Sequence, residues 1–152
     1  MENKDYKDQV LLVGSYTHTL DAKRRLIFPS AWRHLIQDHQ ALYAFAHQQQ
    51  PCLYLYLKDE MIRRIAQLRS EQVVDAQEEQ AIRSITAGAE LIQWDAQGRI
   101  RIGEHLLRHI EATDQVVWVG TLTRIEVWSV SHFDLALPQQ DTRAESLFFT
   151  GY

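Results

Sequence analysis

Two stretches decide how this chain is organised: TLDAKRRLIFP at residues 19–29 and QWDAQGRIRIG at residues 93–103. Each reads Asp-Ala-x-x-Arg and then continues into an apolar run typical of a short strand. Asp21 and Asp95 lie 74 positions apart, and the arginines that close the two phrases have the same spacing. A phrase that recurs at a fixed offset indicates an internal duplication, which sets the architecture of the whole chain.

The repetition extends beyond the two turns. The segment CLYLYLKDEM (52–61) echoes RIEVWSVSHF (124–133), with Tyr56 opposite Trp128 at an offset of 72. No stretch rich in proline, glycine and serine separates the halves, and neither half has enough apolar strands to close a core alone. The sequence therefore predicts a tandem duplication whose two halves share one core.

The remaining pattern predicts an α+β fold with short helices. Strand-like runs rich in β-branched and aromatic residues occupy about 11–19, 25–28, 42–46, 52–57, 90–94, 99–102, 116–120 and 124–128. Helical spacing of apolar residues covers SAWRHLIQ (30–37), KDEMIRRIAQLRS (58–70), DAQEEQAIRSITA (75–87) and GEHLLRHI (103–110). The two longer helices connect the halves.

Composition gives little that is unusual. The 152 residues fit one domain, and 45% hydrophobic with 24% charged residues is ordinary for a soluble globular protein. The single cysteine, Cys52, excludes an internal disulfide and is most simply a buried apolar residue. MENKDYKDQV lacks the apolar segment of a signal peptide, and no run approaches the roughly 18 residues of a membrane span. These features predict a soluble, cytoplasmic protein without a membrane partner.

Net charge bears on nucleic-acid binding in two ways. A total of −4 with a pI of about 5.9 counts against it, because a basic domain is its usual electrostatic signature. The charges are uneven, however: DAKRRLIFPSAWRH carries one acid, Asp21, against a local group of cations comprising Lys23, Arg24, Arg25 and Arg33. A basic patch at the first phrase is therefore compatible with the acidic total.

The phrase itself has a local chemistry. An aspartate that opens a turn can accept hydrogen bonds from its own backbone, and Gly98 can supply the positive φ of a left-handed position. The arginine that follows can pair with the aspartate or reach outward, so Asp21 and Asp95 serve as structural turn residues under either interpretation. Arg24 stands where the second copy has Gly98. A non-glycine residue there costs roughly 1 kcal/mol, so either the first turn differs or its extra charge compensates.

The sequence carries no pattern of an enzyme. A glycine-rich phosphate loop, a nucleophile elbow and a carboxylate dyad are all missing from it. His105 and His109 lie four apart on a predicted helix, but Glu104 is the sole nearby candidate for a third metal ligand. We interpret them as a surface pair and expect no metal and no cofactor.

Three segments together, YTHTLDAKRRLIFPSAWRHL (16–35), TAGAELIQWDAQGRIRI (86–102) and VVWVGTLTRIEVWS (116–129), resemble the MraZ family of bacterial transcriptional regulators. The resemblance covers about residues 14–134. It implies two tandem AbrB-like swapped-hairpin half-barrels, interleaved into one pseudo-symmetric β-barrel. The implied division is 14–60 for the first repeat, 61–86 for a helical connection, 87–134 for the second repeat, and 1–13 and 135–152 for terminal extensions.

The resemblance also implies a function. The family forms homo-oligomeric rings and binds double-stranded DNA at short G-rich direct repeats upstream of its own operon, in the division and cell-wall gene cluster, which places it at the nucleoid. The family's DNA-binding arginine maps to Arg25 and, through the repeat, to Arg99. Lys23 occupies the basic signature position and Arg24 adds charge beside it. Gln97 and Gly98 lack that charge, so Arg99 is expected to contribute less.

The chain departs from the family pattern at a few positions. The family usually has glycine where Arg24 stands, proline where Gly103 stands, and often arginine where Leu107 stands. An alternative function is a ring-forming protein-interaction module that has lost sequence-specific DNA binding. The acidic total and Leu107 favour this alternative, whereas Arg24 favours the regulator. The apolar tail ESLFFTGY (145–152) is a candidate contact with a neighbouring subunit or with the barrel, unless it frays.

Overall fold

The computed structural model describes residues 10–36, 41–71, 75–137 and 142–149. The chain is α+β, as predicted. The strands are β1 (Ser15–Thr19), β2 (Arg25–Ile27), β3 (Ala41–Ala46), β4 (Cys52–Leu57), β5 (Glu90–Gln93), β6 (Arg99–Arg101), β7 (Gln115–Gly120) and β8 (Ile125–Ser129). The helices are α1 (Ser30–Ile36), α2 (Lys58–Glu71), α3 (Ala76–Thr86), α4 (Glu104–His109), α5 (Val130–Ala136) and α6 (Thr142–Phe148).

The strands form two antiparallel layers to which both halves contribute. Six of them make a sheet in the order β1-β7-β8-β4-β3-β5, and β2 pairs with β6 in a separate two-stranded ribbon. The first strand of each half pairs with the third strand of the other half, β1 with β7 and β5 with β3. The halves are therefore interleaved and share one core.

The duplication appears as an approximate twofold symmetry. In the ribbon Leu26 pairs with Ile100, which is its own counterpart at the offset of 74. In the large sheet Tyr54 pairs with Glu126, which is its counterpart at the offset of 72. When a residue pairs with its own repeat copy, the axis that exchanges the halves passes through that pair. Both offsets found in the sequence thus mark points on one axis.

The core lies between the sheet and the ribbon. Phe28 is fully buried, stacked on Trp94 at 4.9 Å between ring centroids and edge-on to Trp118 at 5.4 Å. Aromatic contacts of this kind add stability beyond the burial of area. Leu26 and Ile100, in the middle of the ribbon, are also buried in this core. The alternation of a strand then places the neighbours of these two residues on the outer face of the ribbon.

Two local predictions need correction. The strand predicted from residue 11 begins at Ser15, because Leu12 makes an isolated bridge to Leu122 and Gly14 then turns with a φ of 96°. Helix α5 was not predicted; it begins where the Ser129 side chain accepts a hydrogen bond from the backbone N–H of His132. The connecting helices α2 and α3 match their predicted positions. The end of the helix predicted to reach residue 37 lies outside the described residues.

Within the described ranges, no helix is long and apolar enough to cross a membrane.

Candidate nucleic-acid interface

The first Asp-Ala-x-x-Arg phrase forms a tight turn that the carboxylate of Asp21 holds from inside. One oxygen, Oδ1, accepts from the backbone N–H of Lys23 at 2.9 Å and from that of Arg25 at 2.7 Å. The other, Oδ2, accepts from Nε of Arg25 at 2.8 Å. The backbone N–H of Arg24 also donates to the carbonyl of Asp21. The aspartate therefore sets both the turn and the direction of the arginine.

The second phrase repeats these contacts atom for atom. Oδ1 of Asp95 accepts from the N–H groups of Gln97 and Arg99, both at 2.9 Å, and Oδ2 accepts from Nε of Arg99 at 2.8 Å. The N–H of Gly98 donates to the carbonyl of Asp95. The two turns have one backbone design, although their middle residues differ.

Both aspartates are held in the ionised form. The backbone N–H of Arg25, with the guanidinium of Arg25 and the N–H of Lys23, keeps the pKa of Asp21 below its usual value against the opposing effect of desolvation. The same pattern lowers the pKa of Asp95, with the N–H of Arg99 as the largest cause. Each arginine thus faces a negative partner that fixes its orientation at neutral pH.

The contact with the aspartate leaves one edge of each guanidinium available. Arg25 uses Nε toward Asp21, and among the described residues its two Nη nitrogens have no hydrogen-bond partner. Arg99 also uses Nε, and one Nη donates to the side chain of Gln97 at 3.2 Å. A guanidinium anchored through Nε can offer its Nη edge to a pair of acceptors such as O6 and N7 of guanine.

The turns differ at their left-handed position. Arg24 has a φ of 63° and Gly98 a φ of 79°, so the first turn keeps the geometry of the second despite its side chain. The guanidinium of Arg24 is itself engaged: Nε and Nη2 bind the two carboxylate oxygens of Glu104 at 2.9 and 3.1 Å, and Nη1 donates to the carbonyl of Thr113 at 3.2 Å. Hydrogen bonding to Arg24 lowers the pKa of Glu104. The added positive charge is therefore matched by a negative one.

A different guanidinium covers the second turn. Gly98 is buried, and a β-carbon built there would collide with the guanidinium of Arg33, which reaches it from α1. The Arg33 side chain is half-buried, and its Nε is inaccessible to solvent and has no hydrogen-bond partner among the described residues. The charge of Arg33 was evident in the sequence, but its place against the other half of the chain was not.

The ribbon brings further arginines onto one outer face. Arg25 pairs with Arg101 and Ile27 with Arg99, while Leu26 and Ile100 between them are buried. Arg101 was not among the predicted site residues. The alternation Arg-Ile-Arg in β6 was the signal that could have found it, because side chains two apart share a face of a strand.

The predicted site residues therefore fall at the two ends of one ribbon. Lys23 is exposed and lies in the turn at one end, two residues before Arg25. Arg99 leaves the turn at the other end, about 7 Å away along the strands at ~3.4 Å per residue. Only Arg24 is directed away from this group, toward Glu104 in α4.

Side chains considered for other chemistry have structural contacts instead. His105 lies 3.0 Å from the carbonyl of Gly88, and His109 lies 3.1 Å from the carbonyl of Gln50, in each case through Nε2. Among the described residues no cluster of three metal-ligating side chains occurs. Burial raises the pKa of the Cys52 thiol to about 12, so this cysteine is not a nucleophile at neutral pH.

Fold and site together define a class: a duplicated α+β protein with one interleaved sheet and a short basic ribbon on its surface. A family model described as "MraZ protein, putative antitoxin-like" matches residues 85–147. The chain is 31% identical over 119 residues to "Transcriptional regulator MraZ" of Caldanaerobacter subterraneus subsp. tengcongensis, which covers 78% of this chain and 81% of that protein. The chain belongs to the MraZ family, as the sequence predicted.

Two further relatives with the same printed name support this membership. The protein of Acetivibrio thermocellus is 31% identical over 137 residues, 90% of this chain and 94% of that protein. The protein of Lachnoclostridium phytofermentans is 32% identical over 124 residues, 82% of this chain and 85% of that protein. The family model extends to residue 147, so the resemblance does not end near residue 134 as expected from the sequence.

Proposed function

We propose that this chain is a DNA-binding transcriptional regulator whose reading element is the β2–β6 ribbon with its two turns. The observation that carries the proposal is the outer face of the ribbon, where Arg25, Arg99 and Arg101 meet over a buried Leu26–Ile100 pair. The names of the three relatives support a role in transcription. The proposal assigns no catalytic role to the chain.

The mechanism follows from the anchored arginines. A two-stranded ribbon can enter the major groove, which is about 12 Å wide, and Arg can bind the O6 and N7 atoms of guanine with two hydrogen bonds. Asp21 and Asp95 orient Arg25 and Arg99 through Nε, so little rotational freedom remains to be lost on binding. Lys23 is exposed beside the first turn and suits a phosphate contact.

The overall acidity does not prevent such binding if the site is presented several times. We propose that the interleaved halves, 14–60 and 87–134 joined by 61–86, form a swapped-hairpin barrel and that copies of the chain assemble into a ring. Such a ring would engage short G-rich direct repeats upstream of its own operon, in the division and cell-wall gene cluster at the nucleoid, with affinity multiplied by repetition. Apolar side chains exposed on one subunit, including Leu35, Ile62 and Leu91, support assembly.

A gel shift tests the function directly. The full chain is titrated onto duplex DNA from upstream of its own gene and onto a scrambled duplex of the same length, and light scattering gives the oligomeric state. Preferential retardation of the upstream duplex by an oligomer is the expected result. A folded oligomer that prefers neither duplex would overturn the regulator and favour the alternative of an interaction module that has lost sequence-specific binding. A monomer at micromolar concentration would contradict the ring.

A further inference from the structure

In two pairs of positions that the twofold axis exchanges, the first half has arginine and the second half does not. Arg24 corresponds to Gly98 at the offset of 74, and Arg33 corresponds to Leu107. Both arginines therefore belong to the first half. Because the halves are interleaved, the turn of Arg24 lies against α4, which has leucine at 107, and the turn of Gly98 lies against α1, which has arginine at 33.

In the structure, one guanidinium lies beside each turn. At the first turn the guanidinium starts from position 24 and reaches Glu104 in α4. At the second it starts from Arg33 in α1 and lies against Gly98. Arginine at both positions of one turn would compete for one place, because a β-carbon at position 98 already meets the flexible end of the Arg33 side chain, which would have to move. Each turn therefore has one guanidinium beside it, from the turn itself at Arg24 and from the opposing helix at Arg33.

We propose that Arg33 is a phosphate-contacting residue of the second turn and makes that turn as cationic toward DNA as the first. This inference rests on the proposed function and adds a residue to it. It differs from the prediction made from the sequence, that the second turn contributes less to DNA binding than the first because Gln97 and Gly98 carry no charge.

The partners of the two guanidiniums support the assignment. The charge of Arg24 is matched by Glu104 at 2.9 Å, whereas Arg33 has no carboxylate within ion-pair distance among the described residues. Its half-buried side chain has already lost part of its water, including all of it at Nε. A partly desolvated, unpaired cation gains more from an anion than a fully hydrated one does, because a charged group leaves water at a cost that only a partner offsets.

The position of Arg33 also suits a backbone contact rather than a base contact. It belongs to α1, outside the ribbon, and lies against Gly98 of the turn, whereas Arg99 is the first residue of β6 in the ribbon itself. In protein–DNA complexes the cations that flank a reading element bind phosphates and fix its register. Arg33 should therefore act on all sequences alike.

Fluorescence anisotropy with two labelled duplexes tests the proposal: one of random sequence, and one from upstream of the gene, each titrated at several NaCl concentrations. Arg33→Leu copies the residue at the equivalent position 107, and Arg33→Gln is a second neutral variant in case the first does not fold. Gly98→Arg with Arg33→Leu transplants the arrangement of the first turn. Arg83→Leu, on exposed α3, removes the same charge away from the turns.

We expect Arg33→Leu and Arg33→Gln to weaken binding to both duplexes and to make the slope of log K against log salt shallower by about 0.9 for each phosphate that is no longer neutralised. The double variant should recover the wild-type slope, and Arg83→Leu should not change it. If folded neutral variants keep the wild-type slope while Arg25→Ala loses the upstream duplex, Arg33 is only structural and the proposed function stands. If the wild-type chain binds neither duplex, both proposals fail.

Discussion

The turn at Asp21 and the turn at Asp95 have the same hydrogen bonds and different electrostatic surroundings. Their carboxylate contacts agree within 0.2 Å, and both reach a left-handed residue at the same step. Yet one left-handed residue carries a guanidinium bound to an acid, and the other lies beneath the guanidinium of Arg33, which has no acidic partner in the part of the chain that the structure describes. A duplicated element can therefore keep its shape through two residues, Asp and Arg, while the positions between them change its charge.

The largest effect is expected from the arginines that the aspartates hold. Arg25→Ala should weaken binding to the upstream duplex about 5- to 150-fold, because a bidentate base contact contributes roughly 1–3 kcal/mol of discrimination. With Arg33 beside the second turn, we expect Arg99→Ala to have a comparable effect. Anisotropy on folded, oligomeric variants measures both, with Lys58→Ala as the control for loss of one exposed cation. If Arg25→Ala weakened DNA binding at least tenfold more than Arg99→Ala does, the prediction from sequence that the second turn contributes less would hold instead.

A second prediction concerns stability at the two left-handed positions. Gly98→Arg should destabilise the protein by about 1–3 kcal/mol, because the new side chain must adopt a left-handed conformation and must displace the Arg33 guanidinium. Adding Arg33→Leu should recover the part of that loss that comes from the displacement. Thermal unfolding of wild type, both single variants and the double variant gives the coupling between the two positions. Additive effects would show that the two guanidiniums do not compete for one place.

A third, smaller effect on DNA binding is expected from removing the charge of Glu104 at the first turn. Glu104→Gln removes the charge that neutralises Arg24 at 2.9 Å and should therefore strengthen binding to random-sequence DNA. The salt slope should steepen by up to about 0.9, the equivalent of one further phosphate contact. Glu79→Gln, on α3, is the matched control for removal of a carboxylate. No difference between the two variants would mean that Arg24 stays directed away from DNA after its partner is removed.

The smallest effect, and an equal one at the two turns, is expected from pH. The folded pKa of Asp21 and of Asp95 lies below the unfolded value of about 3.9. Their contribution to stability is therefore fully present above that value and is lost as pH falls through the lowered folded pKa. Melting temperatures between pH 6 and pH 2.5 should decline less steeply for Asp21→Asn and Asp95→Asn than for wild type. A steep decline preserved in both variants would contradict the role of the carboxylates.

Much of the fold could be predicted from the repeated Asp-Ala-x-x-Arg sequence, because the contacts within each copy are local. The contacts that make each turn join residues at most four positions apart, such as Asp21 and Arg25, so the spacing in the sequence already implies them. Both repeat offsets can be read from the sequence alone, and they identify the residue pairs through which the twofold axis passes. The position of Arg101 on the outer face could also have been predicted, from the alternation Arg-Ile-Arg in β6.

The net charge at each turn could not be predicted from the sequence, because it depends on contacts between the two halves. Arg24 and Glu104 are 80 residues apart, and Arg33 and Gly98 are 65 apart. Neither contact has a pattern along the chain; each exists because the interleaved strands bring α4 to the first turn and α1 to the second. Sequence could count the cations but could not show which of them was already paired.

The interleaving also has a consequence for the order in which the protein can fold during its synthesis. Ser15 pairs with Val119, so β1 leaves the ribosome about a hundred residues before β7, the strand it joins. Until then its edge is unsatisfied, and the pairing, once possible, must close a long loop, which slows folding. The nascent first half is thus an incomplete structure exposed to wrong partners, including the first half of another nascent chain. Expressed alone, residues 1–70 should not form a stable folded monomer.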